Sequence, residues 1–117
     1  MTITMTMDEE TATVLMNAAE FYGRVICGQY EEIANQVMKG QMKRTQEREG
    51  DEAVHAQFQA IMDRRDHALF LLEQAQKMQF PELENLYHHH GFGYSRETDL
   101  SYNIYQAVRY ALAWHRH

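Results

Sequence analysis

Apolar residues recur at intervals of three and four along most of the chain, a spacing that predicts helices rather than strands. Thr6 to Ile26 reads as the first helix. Thr6 followed by Glu9 has the form of a capping box, and Asp8, Glu9 and Glu10 suit the positive end of a helix dipole. Val14, Leu15, Ala18, Phe21, Tyr22 and Val25 form one apolar face. Glu20 stands four residues before Arg24, in the favourable order for an ion pair worth about 0.2–0.5 kcal/mol. Gly28 interrupts the pattern, at a helix-interior cost of about 1 kcal/mol relative to alanine. Tyr30, Ile33, Ala34, Val37 and Met38 resume it as far as Lys39, and the polar stretch Gly40 to Gly50 reads as an exposed connection.

Asp51 to Met78 carries the most regular pattern. Val54, Phe58, Ile61, Ala68, Leu72 and Ala75 fall on one stripe, which Arg65 interrupts and Met62 and Leu69 widen. At 1.5 Å per residue such a helix would reach about 42 Å, against a radius of gyration of about 13 Å for a domain of this size. Either the helix is shorter or it pairs with another chain, and a homo-oligomer, most simply a dimer, is the expectation. Phe80-Pro81 ends this helix, because proline disfavours helical geometry in the residue before it. Pro81 to Tyr87 reads as one short helical turn, and His88 to Ser95 as a glycine-containing loop. Thr98 is placed to cap a last helix from Asp99 to about His115. Its inward face would be Leu100, Ile104, Ala107, Val108, Ala111 and Leu112. No β-alternation and no internal repeat is evident. The predicted fold is therefore all-α, a bundle of about four main helices in a single domain spanning residues 1–117.

Composition narrows the class more than the function. The chain is 44% hydrophobic and 24% charged, close to the globular average and unlike a disordered segment. No stretch approaches the roughly 18 apolar residues that span a bilayer, and Met1 to Glu10 lacks the basic start and apolar run of a signal peptide. A cytoplasmic protein that does not contact membranes is the simplest expectation. The single cysteine, Cys27, excludes an internal disulfide and a multi-cysteine zinc site. With 11 basic and 17 acidic side chains the net charge is −6, which argues against a non-specific grip on nucleic acid. Lys39, Lys43, Arg44 and Arg48 make a local basic patch, but Glu47, Glu49, Asp51 and Glu52 follow it, so it reads as a solvated segment.

The unusual residues gather late in the chain. Phe80, Tyr87, Phe92, Tyr94, Tyr102, Tyr105, Tyr110 and Trp114 all lie there, as do five of the seven histidines. Tyr102, Tyr105 and Arg109 share one side of the last helix. Tyrosines beside an arginine can stack on a flat ligand and hold its negative charge, although tyrosines also commonly bury their rings and leave hydroxyls at the rim. Gly91-Phe92-Gly93 can present backbone N–H groups to an anion next to a helix N-terminus, or be a simple tight connection. The candidate ligand-binding set is Gly91, Gly93, Tyr94, Ser95, Arg96, Tyr102, Tyr105 and Arg109. Asp63 and His67, four apart on the long helix, can reach one metal ion together with a histidine from His88 to His90. A polar stripe at that spacing is also the solvent face of any amphipathic helix. No catalytic signature is evident, and no cofactor or resident metal is expected. Cys27 reads as a small buried thiol rather than a nucleophile.

Three segments stand in order: Gly28-Gln29-Tyr30-Glu31-Glu32-Ile33, the Gly91-Phe92-Gly93-Tyr94 loop, and Tyr105-Gln106-Ala107-Val108-Arg109-Tyr110-Ala111-Leu112-Ala113-Trp114. Together they resemble a group of small helical proteins encoded by bacteriophages and other mobile elements. That pattern has Gly-Gln-aromatic-Glu after a tyrosine-rich first helix, a glycine loop, and a last helix of the form Ile-Tyr-Gln-x-Ile/Val-Arg-x-x-x-Ala-Trp. The triple histidine His88 to His90 is not part of it. The resemblance implies a phage context, hence a host-cytoplasmic location, and supplies no activity. By analogy with small phage proteins that sequester cyclic-nucleotide immune signals, it suggests a counter-defence sponge. Tyr94, Tyr102 and Tyr105 would stack on a base or ribose, and Arg109 and Arg96 would pair with phosphate. From another class comes a homo-oligomeric structural or regulatory interaction module without a small ligand. A third expectation is a metal-dependent phosphohydrolase using Asp63, His67 and nearby histidines.

Overall fold

The computed structural model of the chain describes residues 1–115, which hold four helices and no strand. They are α1 (Glu9–Ile26), α2 (Glu31–Glu49), α3 (Asp51–Gln79) and α4 (Arg96–His115). The fold is all-α, as the periodicity predicts. Two compact units are formed: one from residues 1–27 and 91–115, with α1 against α4, and one from residues 28–90, with α2 against α3.

In the first unit α1 begins later than the capping-box pattern suggests. Asp8, not Thr6, is the cap, and its Oδ1 accepts the Thr11 N–H at 2.7 Å. A carboxylate is the stronger acceptor for a helix N–H than a hydroxyl, because the hydrogen bond is charge-assisted. That bond also holds the Asp8 carboxyl below its ordinary pKa. The expected Glu20–Arg24 pair is present at 3.4 Å.

The seam between α1 and α4 runs through small residues. A Cβ placed on Gly23 would sit 3.1 Å from Ser101 Cβ and 3.6 Å from the Thr98 carbonyl oxygen, so the two backbones approach closely at this point. Ala12, Met16, Ala19 and Cys27 share the Gly23 side of α1 by helical spacing. On α4, Thr98, Ser101 and Leu112 are buried, and Tyr102, Tyr105 and Val108 half-buried.

This corrects the predicted inward faces. Of the α4 set, Val108 and Leu112 face inward, whereas Leu100, Ile104, Ala107 and Ala111 are exposed. On α1, Val14, Leu15 and Tyr22 are exposed as well. The physical reason lies in the hydroxyls. Ser101 Oγ donates to the Glu97 carbonyl at 2.8 Å, and Thr98 Oγ1 lies 3.0 Å from Ser95 Oγ. Buried hydroxyls with partners cost little, and small side chains permit a close crossing that bulkier apolar ones would block.

The start of α4 is also shifted. Ser95 Oγ accepts the Thr98 N–H at 3.1 Å and the Ser95 carbonyl accepts the Asp99 N–H. Ser95 therefore does the capping expected of Thr98, which lies inside the first turn and is fully buried.

In the second unit the stretch from Gly40 to Glu49 is helical, not a connection: α2 continues to Glu49, and Gly50 alone joins it to α3. Gly50 takes φ +93°, a left-handed conformation that glycine adopts without a Cβ penalty, and its N–H donates to the Gln46 carbonyl. The Lys, Arg, Gln and Glu residues of this stretch are good helix formers. Thr45, buried with its hydroxyl on the Gln41 carbonyl at 2.9 Å, anchors it. Across from α2, the predicted long helix is present as α3. Ile61 is buried while Val54, Ala68, Leu72 and Ala75 are half-buried, and Phe58 is exposed instead of inward.

Pro81 to Tyr87 forms turns rather than a helical turn. Gln76, fully buried on α3, consumes the local carbonyls. Its Nε2 donates to the carbonyls of Gly28 at 2.8 Å, His88 at 2.9 Å and Leu86 at 3.4 Å. Asn85 Oδ1 accepts the Tyr87 N–H at 2.9 Å. Phe80 and Leu86 are buried, and Tyr30 meets the Phe80 ring edge-on at 5.9 Å. No described helix is long and apolar enough to cross a membrane.

Candidate functional site

The predicted ligand-binding residues all fall in the first unit. Gly91 and Gly93 are exposed, and the loop turns at Gly93 with φ +94° and at the Tyr94 N–H, which donates to the Gly91 carbonyl at 3.1 Å. The Gly93 N–H, the donor best suited to an external anion, points at Asp99 Oδ1 at 2.7 Å. A carboxylate from the first turn of α4 therefore occupies the place assigned to a ligand phosphate. Tyr94 is 44% exposed, Ser95 is committed to the cap, and Arg96 is exposed.

Tyr102 turns toward α1. The Tyr102 ring lies against Gly23, 3.5 Å from a Cβ placed there, and stacks on Phe92 with centroids 6.4 Å apart. Its hydroxyl is 3.7 Å from the Cys27 thiol. Burial, with a smaller contribution from the Cys27 hydrogen bond, pushes the Tyr102 phenol up to about 12. It is neutral across the physiological range and serves as a hydrogen-bonding group, not a base. Cys27 is 0% exposed, and its Sγ also lies 3.3 Å from the Arg24 carbonyl. Arg109 is exposed, beside Gln106, Tyr110 and Ala113 in a shallow depression. Tyr102 lies at the seam, Tyr105 is half-buried and Arg109 is exposed.

The first turn of α4 makes a second tie to α1. Tyr22 donates its hydroxyl proton to Glu97 Oε2 at 2.7 Å, and that bond raises the Tyr22 phenol above its ordinary value. Nothing in the sequence signals this pair, since the two residues lie 75 positions apart.

The histidines separate. The His88 carbonyl belongs to the Gln76 clamp, and His90 Nε2 meets Glu82 Oε1 at 2.9 Å, which lowers the Glu82 pKa. Asp63 Oδ1 accepts from Gln59 Nε2 at 2.8 Å on its own helix. Among the described residues no three His, Cys, Asp or Glu side chains gather as metal ligands would.

The surface feature that sequence reasoning missed is apolar. Leu100, Ile104, Ala107, Ala111 and Trp114 form a continuous exposed stripe along α4, with Leu100 and Ile104 each 45% and Trp114 64% exposed. Beside Ala107 and Ala111 lies a groove of about 670 Å³, lined by Leu15, Val108 and Leu112 and by Met5 to Met7. The signal is present in the sequence, in the same residues, but periodicity alone places them in the core. No family model, curated protein or solved structure matches the chain.

Proposed function

We propose that the chain is a protein-interaction module that works without a small ligand, and that the outer face of the α1–α4 unit is its binding surface. The observation that carries this is the exposed stripe on α4. Monomeric soluble proteins rarely leave a contiguous apolar strip of this kind in water, and such patches mark interaction sites. Trp114 and Tyr110, packed edge-on with centroids 6.0 Å apart, add the aromatic anchors that dominate interface energetics. The groups a nucleotide site would need are engaged otherwise: the Gly93 N–H by Asp99 and the Tyr102 ring by Phe92 and Gly23. A phage setting suits a small module that binds a protein.

Native mass spectrometry of the purified chain, paired with analysis of the supernatant after heat denaturation, tests this. The expected result is protein assemblies, with itself or a co-purified protein, and no stoichiometric small molecule released. Recovery of an intact nucleotide or other anion in stoichiometric amount would overturn it, and so would conversion of added nucleotide to product.

A further inference from the structure

Resting on the interaction function proposed above, we infer that the partner of the α4 stripe is the same stripe on a second copy of the chain, paired antiparallel about a two-fold axis near Ala107. The stripe residues are spaced 4-3-4-3, from Leu100 through Ile104, Ala107 and Ala111 to Trp114. That is the repeat with which one helix seats its side chains between those of another. The pattern runs along most of α4, which spans Arg96–His115.

Side-chain volume selects the direction. The large residues Leu100 and Ile104 stand in the first half of the stripe, the small residues Ala107 and Ala111 follow, and Trp114 closes it. A parallel pair would set Ala111 against Ala111, leaving a void, and Trp114 against Trp114, crowding the end. An antiparallel pair sets Ile104 opposite the partner's Ala111, Leu100 opposite the partner's Trp114, and Ala107 opposite its own copy. The void at Ala111 is then filled and the two indoles are kept apart, as close packing requires. The groove beside Ala107 and Ala111, with Leu15 and Val108 in its walls, gives the partner's Ile104 somewhere to project.

The helix dipoles agree with this direction, since antiparallel helices set the positive end of one beside the negative end of the other. A two-fold pair uses one patch on both copies and closes without leaving a free sticky end.

Sedimentation equilibrium of the full chain at micromolar concentrations, with circular dichroism on each variant, tests the assignment. The wild-type chain should sediment at twice 13.8 kDa. Ile104→Glu should weaken the dimer by about a hundredfold or more, because it places an unpaired charge in the seam. Its helical signal should not change, since Ile104 is already 45% exposed. Direction is read by oxidative cross-linking. Ala107→Cys should link to its own copy, and an Ile104→Cys and Ala111→Cys mixture should give the mixed product. Self-linking of Ile104→Cys alone would overturn the antiparallel assignment. A dimer indifferent to both Ile104→Glu and Ala107→Glu would overturn the α4 seam while leaving the interaction function in place. A monomeric wild-type chain that releases no small molecule would overturn self-pairing and leave a different protein as the partner. Release of a bound anion would instead defeat the function on which the inference rests.

Discussion

Replacing Gln76 by Leu removes one side-chain amide that three carbonyls share. In the native unit the Gln76 Nε2 donates to Gly28 and His88 at good hydrogen-bond distances and to Leu86 at a longer one, while Gln76 Oε1 is buried without a partner. Leaving a buried acceptor unsatisfied costs about 1–3 kcal/mol. The His88 carbonyl belongs to an exposed residue and can return to water, and the Leu86 bond is weak, so the Gly28 carbonyl bears most of the loss. Leucine offsets part of this by eliminating the orphaned Oε1. The expected net destabilisation is about 2 kcal/mol, an amount that lowers the midpoint of a domain this size by roughly 10 °C. Gln76→Glu sharpens the test. A carboxylate there would face three carbonyl oxygens and could donate to them only when protonated. Its folded-state pKa must therefore lie above the unfolded value, so Gln76→Glu should be more stable at acidic pH than at neutral pH, relative to wild type. Urea unfolding followed by far-UV circular dichroism at two pH values measures both effects. A Gln76→Leu variant whose stability falls by less than about 0.5 kcal/mol, the scatter of ordinary surface substitutions, would refute the clamp. So would a Gln76→Glu variant whose relative stability does not depend on pH.

Other sites carry expected outcomes of their own. Ile61→Ala, at a site 1% exposed, should cost about 2–5 kcal/mol in the same unfolding assay. Gly28→Ala should destabilise by at least about 1 kcal/mol in thermal melts, because φ is +99° and the new Cβ would lie 2.9 Å from Leu83 Cδ1. Ser95→Ala should cost about 1 kcal/mol through loss of the cap on the Thr98 N–H, while Arg109→Ala, on the exposed side of α4, should stay within about 0.5 kcal/mol, both read by urea unfolding. Asp8 has a folded-state pKa lowered from 3.8, so its cap contributes fully above that unfolded value and is lost as pH falls through the folded one. The α1 helical signal should fall in that acid window relative to neutral pH, and an Asp8→Asn variant should lack the change, because its amide cap does not titrate.

Helix type and number are legible because each helix carries three-and-four spacing over at least part of its length, and α3 is recovered almost to the residue. The direction each helix faces is not. On α1 and α4 the apolar stripe and the packed face are different sides of the same helix. Periodicity assigns the larger apolar side to the interior by default, and nothing local to Gly23, Thr98 or Ser101 announces that a small, hydroxyl-rich side makes the closer crossing. The same default sends Tyr102 and Tyr105 to a ligand surface and Leu100 and Ile104 to a core. The α2 helix is cut short in the sequence for a related reason: from Gly40 onward it buries only Thr45 and half-buries Met42, too few apolar positions for the period to show. The Gln76 clamp leaves no trace in sequence, since a glutamine amid other helix formers looks like a surface residue until its partners at positions 28, 86 and 88 are in place.

The sequestered Cys27 sulfur gives the α1–α4 unit a chemical clock. In the native state no thiol reagent can reach it, as the residue is 0% exposed and sits between the Arg24 carbonyl and the Tyr102 hydroxyl. Modification must wait for α1 and α4 to part. As the chain's one cysteine, it yields a single-exponential labelling trace with a disulfide reagent, free of competing sites. Where closing outpaces labelling, the ratio of that rate to the rate in unfolded protein is the opening equilibrium of the unit. Anything that seats on the outer face of α4 and holds the two helices together should slow the clock, so partner binding can be followed without attaching a label to the binding surface.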